Sequence, residues 1–300
     1  MSTSYHHNCS NQVGPEFHPS RVFSPPPRPA RHARMAVAAR CVAKPVANSD
    51  STKVLAVIPA RHASSRFPGK PLVPIAGKPM IQHVVERVRR ARLVSRVIVA
   101  TDDASIQGAV ERFGGDAILT RRDHPTGTDR VAEVAVHVPA DIYVNVQGDE
   151  PLIDPGTVDS LANEMIADNS VRIATACAAI SHANDIMDPN VVKAVRDFDG
   201  DALYFSRAPV PWVRDRDESV AARHWKHLGL YAFRRDALLE FPTLPPGELE
   251  RLEQLEQLRW LENGYRIRIV ETEYDAVSVD VPSDVERVEK LVAAANKQQA

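Results

Sequence analysis

From residue 53 onward the chain predicts a Rossmann-like, three-layer α/β fold with a mostly parallel central sheet and a strand-rich second half. Three observations carry this. Up to residue 151, short apolar runs alternate with helical patterns across short loops, an order that implies a parallel sheet covered by helices on both faces. The runs are continuous rather than alternating, as expected of strands buried on both sides. Beyond residue 170 strand patterns dominate.

The first strand is Val54, Leu55, Ala56, Val57 and Ile58, and a loop follows from Pro59 to Gly77. Pro79 stands at a helix start, and Ile81, Val84, Val85 and Val88 recur at helical spacing. Residues 96–100 form the next strand. Asp102 or Asp103 can cap a helix carrying Ile106, Ala109, Val110 and Phe113, which Gly114 terminates. A short strand at 117–120, a helical pattern at 131–136 and a strand at 142–146 complete this half. Later strands are expected at 172–180, 191–196, 203–206, 228–233 and 267–271. One charged helix is expected over 248–262, with Leu252, Leu255 and Leu258 on one side. The last helix starts at Ser283, which has capping-box spacing to Glu286; Val285, Val288, Leu291 and Val292 form its buried stripe.

Composition narrows the function. The 300 residues carry a formal net charge of −2, without the basic excess of a nucleic-acid-binding protein. No apolar run approaches the ~20 residues that cross a bilayer, so no membrane insertion is expected. Cys9, Cys41 and Cys177 are neither a disulfide framework nor a zinc site and suit a reducing cytoplasm. Residues 1–52 read as a disordered extension: prolines 25–27, five arginines and only two acids, Glu16 and Asp50, with no apolar period before Met35. A transit peptide, a non-native extension ahead of Met35, or a solvated tail would each fit, and the last two are favoured. Residues 53–296 are expected to form a single domain.

The loop after the first strand is the most informative segment. It reads Pro59-Ala60-Arg61-His62-Ala63-Ser64-Ser65-Arg66-Phe67-Pro68-Gly69-Lys70-Pro71. Arg61, Arg66 and Lys70, with the hydroxyls of Ser64 and Ser65, suit a triphosphate: guanidinium forks bind phosphate oxygens in pairs, and lysine supplies a mobile charge. Gly69 permits close backbone approach. This is not a P-loop, because Pro71 stands where that motif needs a hydroxyl and a helix start. A loop whose cations only keep it soluble is the plainer alternative.

Three more polar segments follow strands. Residues 122–130, Arg122-Asp123-His124-Pro125-Thr126-Gly127-Thr128-Asp129-Arg130, open a helix, which Thr128 or Asp129 could simply cap; backbone amides there could also hold an anion or a base edge. In Gln147-Gly148-Asp149-Glu150-Pro151, a strand-end carboxylate beside a triphosphate loop is what a Mg²⁺ site needs, although Asp149 could instead cap a turn. Arg207 ends a strand as a cation suited to a carboxylate, although a lone arginine is usually a surface charge.

The 59–71 string resembles the nucleotide-binding signature of the 3-deoxy-manno-octulosonate (Kdo) cytidylyltransferases, and the resemblance runs over residues 54–290. It implies the nucleotide-diphospho-sugar transferase fold, and an enzyme that joins CMP from CTP to Kdo and releases pyrophosphate. It also implies Mg²⁺ on Asp149 and on Asp280 of the Val279-Asp280-Val281-Pro282-Ser283-Asp284 segment. Arg122, Thr126, Gly127 and Arg130 are then expected to join Arg61, Ser64, Ser65, Arg66 and Lys70 around CTP. Gln147, Arg207, His227, Tyr231, Glu256 and Gln257 are expected around Kdo. Lys70, Arg66, Asp149 and Asp280 are the expected catalytic set, and a homodimer is the expected assembly. The family commonly has Ser and Glu where this chain has Thr126 and Asp129. A sialic-acid-type cytidylyltransferase and a non-catalytic nucleotide or sugar sensor are the rival readings; retention of both aspartates counts against the sensor. A chain beginning at Lys53 is expected to keep full turnover and melting temperature, and a large loss of either would show that the extension packs on the domain.

Overall fold

The structure is a computed structural model that describes residues 52–62, 67–214 and 224–298. Residues 1–51 of the N-terminal extension lie outside the described residues, as do Ser64, Ser65 and Arg66. In chain order, β1 (Val54–Ala60) leads to a 3-10 turn at Lys70–Leu72, a hairpin of β2 (Pro74–Ile75) and β3 (Lys78–Pro79), and α1 (Met80–Val88). Next come β4 (Arg96–Thr101), α2 (Ala104–Arg112), β5 (Asp116–Leu119), α3 (Gly127–His137), β6 (Ile142–Asn145) and α4 (Pro155–Ala167). The second half holds β7 (Ile173–Ala179), α5 (Ala183–Met187), β8 (Lys193–Arg196), β9 (Ala202–Ser206), β10 (Trp225–Arg234), α6 (Arg235–Glu240), α7 (Glu248–Glu253), α8 (Gln257–Glu262), β11 (Arg268–Thr272) and α9 (Asp284–Gln298).

The central sheet runs β11-β7-β10-β6-β1-β4-β5, with β8 and β9 attached beside β10. Strands β6, β1, β4 and β5 pair in parallel, as do β7 and β11; β10 enters antiparallel between β6 and β7. Both faces are covered. Val54, Ala56 and Ile58 of β1 pack with Val84 of α1, Ile106 of α2 and Leu161 of α4. Leu55 and Val57, pointing the other way, pack with Val131 of α3, Leu238 of α6 and Trp260 of α8. The carboxyl ends of β1, β4 and β6 therefore share one edge, and the loops that leave them meet there. A third cluster, Ile75, Met80, Val279, Val288 and Val292, packs α9 onto the β2-β3 hairpin beside the loop after β1.

Four local expectations are corrected. The helix expected over 248–262 is two helices broken at Gln254, which sits in the left-handed region at φ 52. A three-residue spacing of leucines precesses around a helix of about 3.6 residues per turn; the break turns Leu255 and Leu258 inward and leaves Leu252 exposed. Thr126, rather than Thr128 or Asp129, caps α3, accepting from the Asp129 amide. At the last helix the Asp284 carboxylate accepts from the amides of Asp280 and Val281, and Leu291 is exposed rather than part of the stripe. Helix α4 has no counterpart in the reading above, although Asp154 caps it ahead of Pro155 and Val158, Leu161, Ala162 and Met165 line its buried side.

Asp103 caps α2 by accepting from the amides of Ser105 and Ile106. Asp103→Ala is expected to lower unfolding free energy by about 1 kcal/mol in urea titration and to leave turnover unchanged.

Candidate active site

The loop after β1 closes on itself. Gly69 holds φ at 70 and donates its amide to the His62 carbonyl at 3.0 Å, which delivers Lys70 to the strand-end edge. The Lys70 ammonium, largely buried, donates to Asp149 Oδ2 at 2.6 Å and to the Val279 carbonyl at 2.9 Å. The Val279 amide in turn donates to the Asp149 carbonyl at 3.0 Å. Three segments remote in sequence are thereby joined, and Asp280 follows directly, its Oδ2 accepting from Ser278 Oγ at 3.0 Å.

A cavity of about 220 Å³ opens at this junction. Of the residues expected around the nucleotide, Arg61, Lys70, Thr126, Gly127 and Arg130 line it, together with Gln147 and Asp149. Its wall also contains Gly148, where an added Cβ would sit 3.0 Å from the Pro59 carbonyl. Glycine there suits the close approach of the ends of β1 and β6. Arg130 is buried and braced: it donates to Thr120 Oγ1, to the Arg121 carbonyl at 3.3 Å and to Asp102 Oδ2 at 3.4 Å. Arg122 is exposed and is not part of the cavity wall.

Of the residues expected around the sugar acid, His227 and Tyr231 stand on β10, and Glu256 and Gln257 stand at the start of α8. Gln147 reaches from the cavity wall to the Gly229 carbonyl, donating from Nε2 at 2.8 Å. His227 packs edge-on against Phe205, centroids 4.9 Å apart, and tilts against Tyr231 at 5.4 Å. Burial pushes its pKa down to about 3, so the imidazole is neutral at physiological pH. Thr175 donates its hydroxyl proton to the Leu230 carbonyl at 2.9 Å. His227 Nε2 lies 3.0 Å from the Thr175 hydroxyl oxygen, within hydrogen-bond reach. Burial raises the Tyr231 phenol well above its ordinary value, with the Glu256 charge adding to it. Burial also lifts the Glu256 carboxyl to about 7, against the lowering effect of hydrogen bonds from Thr128 and Thr126. Glu256 thus links the sugar set to the start of α3. Gln257 is buried with no partner for its Nε2.

Arg207 is not the free cation that a strand-end arginine suggests. It donates from Nε to the Glu253 carbonyl at 2.7 Å, from Nη1 to the Pro189 carbonyl at 2.9 Å and from Nη2 to the Gln254 carbonyl at 3.4 Å. The break between α7 and α8 is what leaves two of those carbonyls available.

A family model described as Cytidylyltransferase matches residues 55–269. The 3-deoxy-manno-octulosonate cytidylyltransferase of Geobacter sulfurreducens is 55% identical over 247 residues, which is 79% of this chain and 99% of that protein. This chain belongs to the 3-deoxy-manno-octulosonate cytidylyltransferase family. The family's Pelobacter propionicus protein is 56% identical over 240 residues, covering 77% of this chain and 94% of its own. A solved structure of CMP:2-keto-3-deoxy-manno-octonic acid synthetase complexed with CTP is 48% identical, with a TM-score of 0.78 over 81% of this chain and 100% of that one. The cytidylyltransferase match runs from β1 into β11, so it includes Lys70 and Asp149, while Asp280 lies beyond its end.

One group of this cytidylyltransferase site escaped the sequence reading. Glu150 is buried, and its carboxyl is pushed up to about 8 by burial and by the charges of Asp149 and Asp280. Its place beside Asp149 in the Gln147–Pro151 segment was the available signal. The Asp149 charge that acts on it is itself paired with Lys70 at 2.6 Å. Among the described residues no group of three or more metal-type side chains occurs. The carboxylates of Asp149 and Asp280 are hard oxygen donors of the kind that would suit Mg²⁺. Asp149→Asn and Asp280→Asn are each expected to lower turnover by roughly 100-fold or more while moving the melting temperature only a few degrees. Equal turnover to wild type in either variant would remove that aspartate from the site.

Proposed function

We propose that this chain transfers CMP from CTP to 3-deoxy-D-manno-octulosonate, giving CMP-Kdo and pyrophosphate and so activating Kdo for lipopolysaccharide or related cell-wall glycan synthesis. The observation that carries the reading is the junction of Lys70, Asp149 and Val279 on a cavity walled by Arg61, Thr126, Gly127 and Arg130, in a chain more than half identical to enzymes of that name. The anomeric hydroxyl oxygen of Kdo attacks the α-phosphorus of CTP. The new P–O bond forms as the bond to the β-phosphate oxygen breaks, the hydroxyl proton passes to solvent water, and the pyrophosphate carries away the electron pair. Catalysis of this kind is positioning and charge neutralisation. Lys70 and Arg61, with Arg66, meet the triphosphate charge. Lys70 is assigned to the charge that develops at the α-phosphate, and its ammonium has one N–H left for it after Asp149 and Val279. Asp149 and Asp280 would hold Mg²⁺, which when bound supplies positive charge to the phosphates and acidifies a coordinated hydroxyl.

Gln147, His227, Tyr231, Glu256 and Gln257 hold the sugar hydroxyls, and Arg207 holds the carboxylate. His227 serves as a hydrogen-bonding partner and not as a charge, since burial keeps it neutral. The reading extends to a cytoplasmic homodimer, supported by the sparse cysteines and by the family resemblance; no described helix is long and apolar enough to cross a membrane. The sialic-acid reading is disfavoured by the relatives, whose names specify the eight-carbon acid.

A pyrophosphate-release assay with MgCl₂, a panel of sugar acids and CTP, ATP or GTP tests the reading. Turnover is expected with CTP and Kdo and only weakly with either purine nucleotide. Comparable turnover with ATP would refute cytidylyl transfer, and a preference for sialic acid would refute the assigned acceptor.

A further inference from the structure

Lys193 lies outside every assignment made so far. It stands on β8 and is completely buried. Its ammonium donates to the backbone carbonyls of Asp188 at 2.9 Å, Val191 at 2.6 Å and Arg207 at 2.6 Å. An ammonium carries three donors, so these bonds saturate it, and full saturation is what makes a buried charge tolerable. The three carbonyls belong to two segments, the connection from α5 to β8 and the end of β9.

The stitching runs in both directions. Arg207, whose carbonyl Lys193 holds, sends its own Nη1 back to Pro189 in the same connection. On the other flank, the Glu253 carboxylate accepts from the Arg207 amide at 2.9 Å and from Ser206 Oγ at 2.6 Å. The peptide groups on both sides of the Arg207 Cα are therefore fixed, one by Glu253 and one by Lys193. The side chain is fixed at all three nitrogens by carbonyls. A guanidinium has five N–H groups; three meet carbonyls, and one remains on each terminal nitrogen. Two such N–H groups match the two oxygens of a carboxylate. The same framework reaches His227, whose amide donates to the Val192 carbonyl at 2.8 Å, while Lys226 pairs opposite Lys193.

We propose that Lys193 and Glu253 are positioning residues for the sugar acid: they clamp the Arg207 backbone from both sides, so that its two remaining N–H groups are held ready for the substrate carboxylate. The proposal rests on the assignment of Arg207 above. Neither residue touches substrate. Their contribution is the rotamer and backbone freedom that Arg207 no longer loses when Kdo binds, so the effect belongs to Kdo affinity.

Steady-state kinetics in both substrates, with CTP binding by calorimetry, test this on the full chain for Lys193→Met, Glu253→Ala, Glu253→Gln and Arg207→Ala. Lys193→Met and Glu253→Ala are each expected to raise KM for Kdo roughly 10-fold, with CTP affinity held within about twofold. Glu253→Gln retains an acceptor oxygen and is expected to recover part of the loss. Adding Glu253→Ala to Arg207→Ala should raise KM for Kdo little further, because the clamp has nothing left to position. Glu253 is only partly buried, so its variants report even where Lys193→Met fails to fold. Equal losses for both substrates, a loss confined to kcat, or multiplying effects in the double variant would overturn the clamp. If Arg207→Ala alone leaves KM for Kdo unchanged, the assignment of Arg207 fails and the clamp fails with it. If Arg207→Ala raises it and the other variants do not, only the clamp fails.

Discussion

The Lys70 ammonium, shared between the Asp149 carboxylate and the Val279 carbonyl, is the contact on which the site depends. A largely buried ion pair is a poor source of stability, because desolvation offsets most of the attraction. Its value is geometric: it states where the loop after β1, the end of β6 and the segment ahead of α9 must meet. Apolar packing keeps it assembled. Val279 is completely buried with Ile75, Met80 and Val288, so the carbonyl that Lys70 needs is presented by a residue whose own side chain is core. Asp280 is placed by the same packing, one residue further along.

The antiparallel strand does for the sugar side what the parallel strands do for the nucleotide side. By entering between β6 and β7, β10 brings Tyr231 opposite Asn145 and Thr175. Its register shifts between Leu228 and Tyr231, and within that irregularity Gly229 presents its carbonyl to Gln147. A Cβ at Gly229 would lie 3.3 Å from Gln147 Cγ, so the irregularity and the glycine together admit the glutamine side chain. One wall of the cleft is a conventional strand-end edge, and the other is a bulged strand inserted across it.

The parts legible in the sequence are those where one short segment decides the outcome. Strands β1, β4 and β6 were found because burial on both faces leaves a continuous apolar run. The loop after β1 was found because cations are dense at a strand end, although Ser64, Ser65 and Arg66 lie outside the described residues. The parts not legible are settled by remote partners. Each half of 248–262 is a sound helix pattern, and the left-handed turn at Gln254 accompanies carbonyls engaged by Arg207 from 46 and 47 positions away. The run Thr126-Gly127-Thr128-Asp129 holds three possible caps, and only the path of the chain selects Thr126. Nothing local to Lys193 reveals that three carbonyls converge on it.

On the proposed reading, the cleft must hold a triphosphate and a sugar carboxylate close enough to react, although like charges repel. Mobile cations would let each anion capture the other's partner. Here three of the cations are immobilised. Lys70 is pinned by Asp149 and Val279, and Arg130 is buried with its fork turned on Thr120, Arg121 and Asp102. Arg207 is held through its amide, its carbonyl and three nitrogens. The other residues assigned to the sugar include groups without full charge: His227, kept neutral by burial, the Gln147 amide, and Glu256 with a carboxyl near 7. The two substrates are therefore told apart by where rigid donors stand, and a preorganised site of this kind avoids the reorganisation that mobile side chains would need as charge moves from the α-phosphate to pyrophosphate.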